Sequence, residues 1–231
     1  KLVNPELLVD LPAEPGATHS GGVVIIGPDK NLYFIMGTAD HTTNSENIVG
    51  QEADGTGGVL RITQDGKPVG KGILGDSYPL NLYYAYGVRN GFGLDFDPLT
   101  GNLWDTENGF DCCDEINQVK PGFNSGWQKV MGIWQLNESK NRVIQDTDES
   151  ESLNAKLVTF NGKGKYSSPE FVWNTPVGPS ALKFLTSEKL GEQYENDIFV
   201  GNVNQQNIYH FDLTKSRSAL SLNGTLVDKI S

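Results

Sequence analysis

The sequence contains no run of about 18 apolar residues, which excludes a membrane-spanning helix. It has no excess of basic residues either. Eighteen Lys and Arg stand against 29 Asp and Glu, for a formal net charge of −11. An acidic surface repels phosphate backbones and anionic headgroups, so neither nucleic acid nor an anionic membrane is an expected partner. That balance suits solubility and, where carboxylates converge, a cation. Glycine and proline are plentiful, at 27 and 11, but follow no short fixed period, so they mark tight turns rather than collagen or a disordered tract. Neither an initiating Met nor a secretory leader opens the chain, and residues 228–231 carry no stop signature. A processed or truncated piece of a longer protein is therefore expected. Helical patterning is thin. Only 187–194, with Ser187 as a cap, reads as a turn or two of helix.

What the sequence does have is repeated hairpin grammar. Gly22-Val23-Val24-Ile25-Ile26 leads through Gly27-Pro28-Asp29-Lys30-Asn31 into Leu32-Tyr33-Phe34-Ile35. Gly93-Leu94-Asp95-Phe96 leads through a Pro/Gly/Asn turn into Leu103-Trp104, and 180–184 is answered by 197–201. Further strands are predicted at 58–62 and 207–211. β-Branched and aromatic runs between Gly/Pro/Asp/Asn turns are the pattern of strands joined by tight turns. Hairpins that close on an Ile-Tyr-x-Phe strand point to propeller blades. The polar stretches 38–57 and 133–165 read as loops, which at one rim of a propeller usually carry the site. The acidic run 146–151 reads as solvated loop. The fold class expected is all-β, with residues 1–231 forming one incomplete propeller domain of about three to four blades. Its open edges would have to be covered by further blades or by a second copy.

The polar residues with chemistry in them concentrate in 86–127. Arg89 enters an apolar strand among glycines that let a ligand approach the backbone. Its alternative reading, an Arg paired with a surface carboxylate, is equally supported at this point. The segment from Trp104 to Asn117 offers carboxylates and an Asn108-Gly109 turn that could give oxygens to a hard cation, though its spacing is not that of an EF-hand. On composition alone an acidic turn without metal is the simpler reading. Cys112 and Cys113 are adjacent. They could be two thiols or, in an oxidising compartment, a vicinal disulfide, and the disulfide is the expectation. Sequons at Asn137 and Asn223 would suit an exported chain.

Four motifs occur in one order: Tyr86-Gly87-Val88-Arg89-Asn90-Gly91-Phe92-Gly93-Leu94, Glu107-Asn108-Gly109, Asp114-Glu115-Ile116-Asn117, and Gly122-Phe123-Asn124-Ser125-Gly126-Trp127. With Thr18-His19-Ser20-Gly21-Gly22 upstream, the set resembles the soluble quinoprotein glucose/sorbosone dehydrogenase family. That resemblance implies a six-bladed β-propeller that uses pyrroloquinoline quinone (PQQ) and calcium to oxidise an aldose or related alcohol to a lactone, outside the cytoplasm. Under it, His19 is the general base, and Arg89 stabilises charge growing on the quinone. Asn90 hydrogen-bonds the cofactor. Gly109 and Phe110 hold the cofactor's calcium through their carbonyls. Asp114 and Glu115 either bind a second, structural calcium or pin the loop. Asn204 stands where glucose-oxidising members place a Lys that pairs with PQQ, and Phe110 where they usually have Pro. His41 and His210 read as a loop and a strand histidine. The partners implied are a sugar substrate and an electron acceptor that the sequence does not identify. The competing reading is a non-catalytic extracellular propeller that binds glycans or proteins.

Overall fold

The computed structural model describes residues 4–137, 139, 141–145 and 156–223. Its sheets arise in chain order. The first four strands, β1 (Val24–Ile26), β2 (Leu32–Met36), β3 (Gly58–Ile62) and β4 (Tyr83–Tyr86), form an antiparallel meander. The β1–β2 turn is built from its own residues. Gly27 N–H donates to the Asn31 carbonyl at 2.9 Å, Lys30 N–H donates back to Gly27, and Asp29 Oδ1 accepts from Asn31 N–H. This is the Asx chemistry expected of a Gly-Pro-Asp-Lys-Asn turn.

The second blade is β5 (Gly91–Phe96), β6 (Leu103–Glu107) and β7 (Asp114–Val119). An insertion then adds β8 (Phe123–Asn124), β9 (Val130–Met131), β10 (Trp134–Leu136), β11 (Arg142–Gln145) and β12 (Lys165–Tyr166). Strand β13 (Phe171–Trp173) returns to close the blade against β7. Strands β8 and β12 extend the first sheet in parallel beyond β4, and β9, β10 and β11 make a small antiparallel sheet. The stretch 133–165, expected to be loop, thus carries strands, while the acidic run expected at 146–151 lies outside the described residues. The third blade is β14 (Pro179–Phe184), β15 (Ile198–Asn202) and β16 (Ile208–Phe211). Two single 3-10 turns, Glu188–Leu190 and Glu192–Tyr194, stand in its β14–β15 connection, and Ser187 Oγ caps the first by accepting from Lys189 N–H.

Period-two alternation decides which face each side chain serves. Tyr33, Ile35 and Val59 join Leu94, Leu103 and Val119 between the first and second blades. Their neighbours Leu32, Phe34, Met36, Leu60 and Ile62 turn to the opposite face, where Val9 and Leu11 of the N-terminal segment cover them. Trp104, Ile116, Phe171 and Trp173 meet Leu182, Phe184, Ile198 and Val200 between the second and third blades. Each blade therefore buries residues against the next, which is the packing of a β-propeller. No helix among the described residues is long and apolar enough to cross a membrane.

Candidate active site

Connections at one rim of the blades bring the sequence-predicted residues together. Thr38 N–H, just after β2, donates to the Arg89 carbonyl at 3.0 Å, and Ala39 N–H donates to the His19 carbonyl at 3.1 Å. A Cβ on Gly37 would stand 2.3 Å from the His19 oxygen and 3.0 Å from the Arg89 oxygen, so only glycine lets these two segments meet there. His19 itself has φ +54°. Its Nδ1 lies 3.3 Å from Thr38 Oγ1 and 3.7 Å from Asp40 Oδ1. Hydrogen bonds from Thr18, with the His19 charge adding to them, hold the Asp40 carboxyl below its ordinary range.

Arg89 is buried at the entry to β5. Its backbone N–H donates to Glu107 Oε1 at 2.6 Å. Its Nη1 donates to two carbonyls of the following turn, Asn108 at 3.0 Å and Gly109 at 2.6 Å. The guanidinium carbon lies 5.5 Å from the Phe110 ring centre and 5.4 Å from that of Trp127, within cation–π range of both. Burial lowers the Arg89 pKa, against the opposing pull of Glu107, Asp114 and Asp40. Next to it, Asn90 Oδ1 and Asn108 Oδ1 are buried and have no hydrogen-bond partner. Buried polar atoms are nearly always paired, so each of these two oxygens can take a further donor.

The metal-turn candidates divide. Gly109 and Phe110 sit in the β6–β7 turn, with Phe110 exposed. Asp114 and Glu115, read from sequence as part of an acidic turn, lie instead in a fully buried strand. Asp114 Oδ1 accepts from Gly109 N–H at 2.9 Å, and its Oδ2 accepts from Val177 N–H at 2.7 Å and Gly178 N–H at 2.8 Å. Glu115 accepts from the Gly132 N–H and from Asn117 Nδ2. Ser125 Oγ lies 2.8 Å from Glu107 Oε2 and 3.3 Å from Glu115 Oε2. One hydroxyl proton cannot serve both carboxylates. Burial pushes both Glu107 and Glu115 above the carboxylate range.

Asn204 is exposed on the β15–β16 connection. It is tied to the connection before β14, its N–H donating to the Val177 carbonyl at 3.1 Å and its Nδ2 to the Pro176 carbonyl at 3.0 Å. Cys112 and Cys113 are joined by a disulfide, buried with Trp127, Met131 and Val172 under the same turn. The other two histidines each lie within hydrogen-bond distance of an aspartate, His41 of Asp54 at 2.7 Å and His210 of Asp197 at 3.0 Å.

One contributor escaped the sequence. Glu46, in the polar stretch after β2, is fully buried, and its Oε2 accepts from Gln128 Nε2 at 2.9 Å. Gln128 N–H donates to the Glu46 carbonyl, and Asn47 Nδ2 donates to the Trp127 carbonyl, both at 2.7 Å. Glu46 and Asn47 thereby fix the Trp127-Gln128 backbone and the wall behind Arg89. Nothing in an Asn-Ser-Glu-Asn stretch flags such a role.

Known proteins resemble the chain over most of its length. The family model for glucose/sorbosone dehydrogenases matches residues 3–230. The quinoprotein glucose dehydrogenase B of Acinetobacter calcoaceticus is 32% identical over 268 residues, covering 92% of this chain and 54% of that protein. The aldose sugar dehydrogenase of Escherichia coli K12 is 24% identical over 207 residues, covering 86% of this chain and 48% of its own length. The PQQ-bound aldose sugar dehydrogenase of Streptomyces coelicolor superposes with a TM-score of 0.61 at 23% identity, over 90% of this chain and 49% of that one. The chain thus spans about half the length of the relatives it matches.

Proposed function

The chain belongs to the glucose/sorbosone dehydrogenase family, and from that premise we propose that it serves a PQQ- and calcium-dependent oxidation of an aldose or related alcohol to a lactone. The observation that carries the reading is the junction at Gly37, where Thr38 and Ala39 tie Arg89 and His19, 70 positions apart, to one rim. The residues present suit such ligands. The unpartnered Asn90 and Asn108 oxygens offer polar contacts, and the Asn108-Gly109 carbonyls already hold a guanidinium, a stand-in for a cation.

PQQ, when bound, supplies the hydride acceptor, and calcium the Lewis acid that polarises it. The protein's own groups do the rest. Thr38 and Asp40 on the Nδ1 side of His19 favour the Nδ1–H tautomer, which makes Nε2 the atom that takes the sugar hydroxyl proton. The Asp40 carboxylate steadies the imidazolium that results. Arg89 offsets negative charge that develops as the alcohol is oxidised. Asn90 and Asn204 would hydrogen-bond the cofactor, and the Gly109 and Phe110 carbonyls would hold its calcium. Asp114, with three backbone N–H donors on its two oxygens, serves to pin the loop, and Glu115 shares that task. The vicinal disulfide supports a location outside the cytoplasm, in the periplasm or beyond the cell.

The test is reconstitution with PQQ and calcium, followed by dye-reduction assays over a panel of aldoses. Turnover is expected, and His19→Asn should lower kcat by about 10²–10⁴-fold. Failure to bind the quinone together with no turnover refutes the reading.

A further inference from the structure

Arg89 Nη1 occupies both the Asn108 and the Gly109 carbonyl oxygens. The Gly109 carbonyl is also one that the proposed function gives to calcium, so two cations lay claim to one oxygen. We propose that Arg89 is the resident cation of this turn, and that a divalent ion enters only by displacing the guanidinium, which is thereby released toward the reacting site. The inference rests on the reading of the turn as a calcium site and adds how that site is controlled.

The geometry makes joint occupancy unfavourable. Calcium binds oxygen ligands at about 2.3–2.6 Å and needs six to eight of them. The guanidinium nitrogen is already 2.6 Å from the Gly109 oxygen. Two cations on one oxygen would stand within about 5 Å of each other in a partly buried setting, where their repulsion is weakly screened. The guanidinium has the more adaptable position. It lies against the faces of Phe110 and Trp127, and Phe110 is 54% exposed, so that side of the pocket is open. The carbonyls are the fixed partners. Gly109 N–H is tied to Asp114 Oδ1 at 2.9 Å, which holds the turn in place. The anchor of Arg89 to Glu107 is through its backbone N–H, which survives any movement of the side chain.

Occupation by the guanidinium lowers the apparent metal affinity in proportion to the fraction of molecules whose carbonyls are open. Competition of this kind makes Arg89 both a brake on metal binding and a group whose placement reports it.

The experiment is calcium titration by calorimetry on the full chain, comparing wild type with Arg89→Ala and Arg89→Met, the latter keeping bulk against the two rings without charge. Circular dichroism confirms that each is folded. Both variants should bind calcium at least about tenfold more tightly, the factor for carbonyls open a tenth of the time or less in the wild type. The gain should persist in about 1 M salt, where the screening length falls to about 3 Å, because the competition is for one oxygen and not a distant field. In the wild type alone, calcium should also alter Trp127 fluorescence as the guanidinium leaves the indole face. Equal affinity in all three proteins, or a gain that vanishes in high salt, overturns the displacement and leaves the calcium site standing. No binding by any of the three overturns both.

Discussion

Val177 N–H donates to Asp114 Oδ2 at 2.7 Å, across 63 positions of sequence, and so ties the connection leading into the third blade to a carboxylate in the second. The same carboxylate takes Gly178 N–H on Oδ2 and Gly109 N–H on Oδ1. One side chain therefore sets the height of the carbonyl turn and, through Val177, the place of Asn204.

Three hydrogen bonds to one buried carboxylate cannot be kept by a neutral amide, whose NH2 would face N–H donors. Asp114→Ala should cost on the order of 3 kcal/mol or more, because three backbone N–H donors are left unpaired at about 1–3 kcal/mol each. Asp114→Asn should cost less, because one carbonyl oxygen remains as acceptor. Urea unfolding of the three proteins measures this. A loss below 1 kcal/mol in the alanine variant would mean that the three donors find other acceptors.

The turn itself admits no side chain at Gly109. An added Cβ would meet the Cys112 carbonyl oxygen at 1.7 Å and its carbon at 2.8 Å, both backbone atoms. Gly109→Ala should destabilise by about 1–3 kcal/mol or more through forced backbone movement and weaken calcium binding with it. Gly162→Ala is the control. Unlike Gly109 it has a positive φ, +79°, but nothing lies within 4 Å of its Cβ, so it should show only the backbone cost.

The Cys112–Cys113 disulfide is almost wholly buried, the two residues being 2% and 0% exposed. Thiol reagents act on accessible sulfur. Denatured protein should take up no alkyl group before reduction and two after it, while native protein exposed to mild reductant should take up few. Two alkyl groups on unreduced, denatured protein would show two thiols instead. The readout is intact mass.

Which parts could be read in the sequence follows from how local their causes are. The β1–β2 hairpin was legible because Gly27, Asp29 and Asn31 complete each other's hydrogen bonds within five residues. Strand β7 was not legible as a strand. Its residues Asp114, Glu115 and Asn117 break the apolar alternation, and they are buried because donors such as Gly132 and Val177 reach them from elsewhere in the chain. His19, Arg89, Asn90 and the Gly109 turn were named from motifs, and their shared rim needed the Gly37 junction to become visible. Asn204 was named from the resemblance, and its exposed position and its ties to Pro176 and Val177 are tertiary facts.

Glu46 carries the last prediction, a dependence of stability on pH. Burial pushes its carboxyl up to about 7, well above the ordinary glutamate range, with Asp54 adding to the rise and Gln128, Trp127 and His41 opposing it. A raised acid pKa means that the folded state holds a proton which the unfolded chain has already lost. Between about pH 4.5 and 7 the unfolded state binds fewer protons, so stability falls as pH rises and levels off above the folded pKa. A rise of this size corresponds to roughly 3 kcal/mol at full ionisation. Buried Asp105, Glu107 and Glu115 are also raised and act in the same direction. Glu46→Gln keeps an acceptor for Gln128 and removes one titration, so it should flatten the slope without abolishing it. The variant should gain on wild type at pH 7.5 and be close to it at pH 4.5 in chemical unfolding. If both proteins lose stability in parallel across that range, Glu46 is not held protonated and the wall behind Arg89 is not set by its charge state.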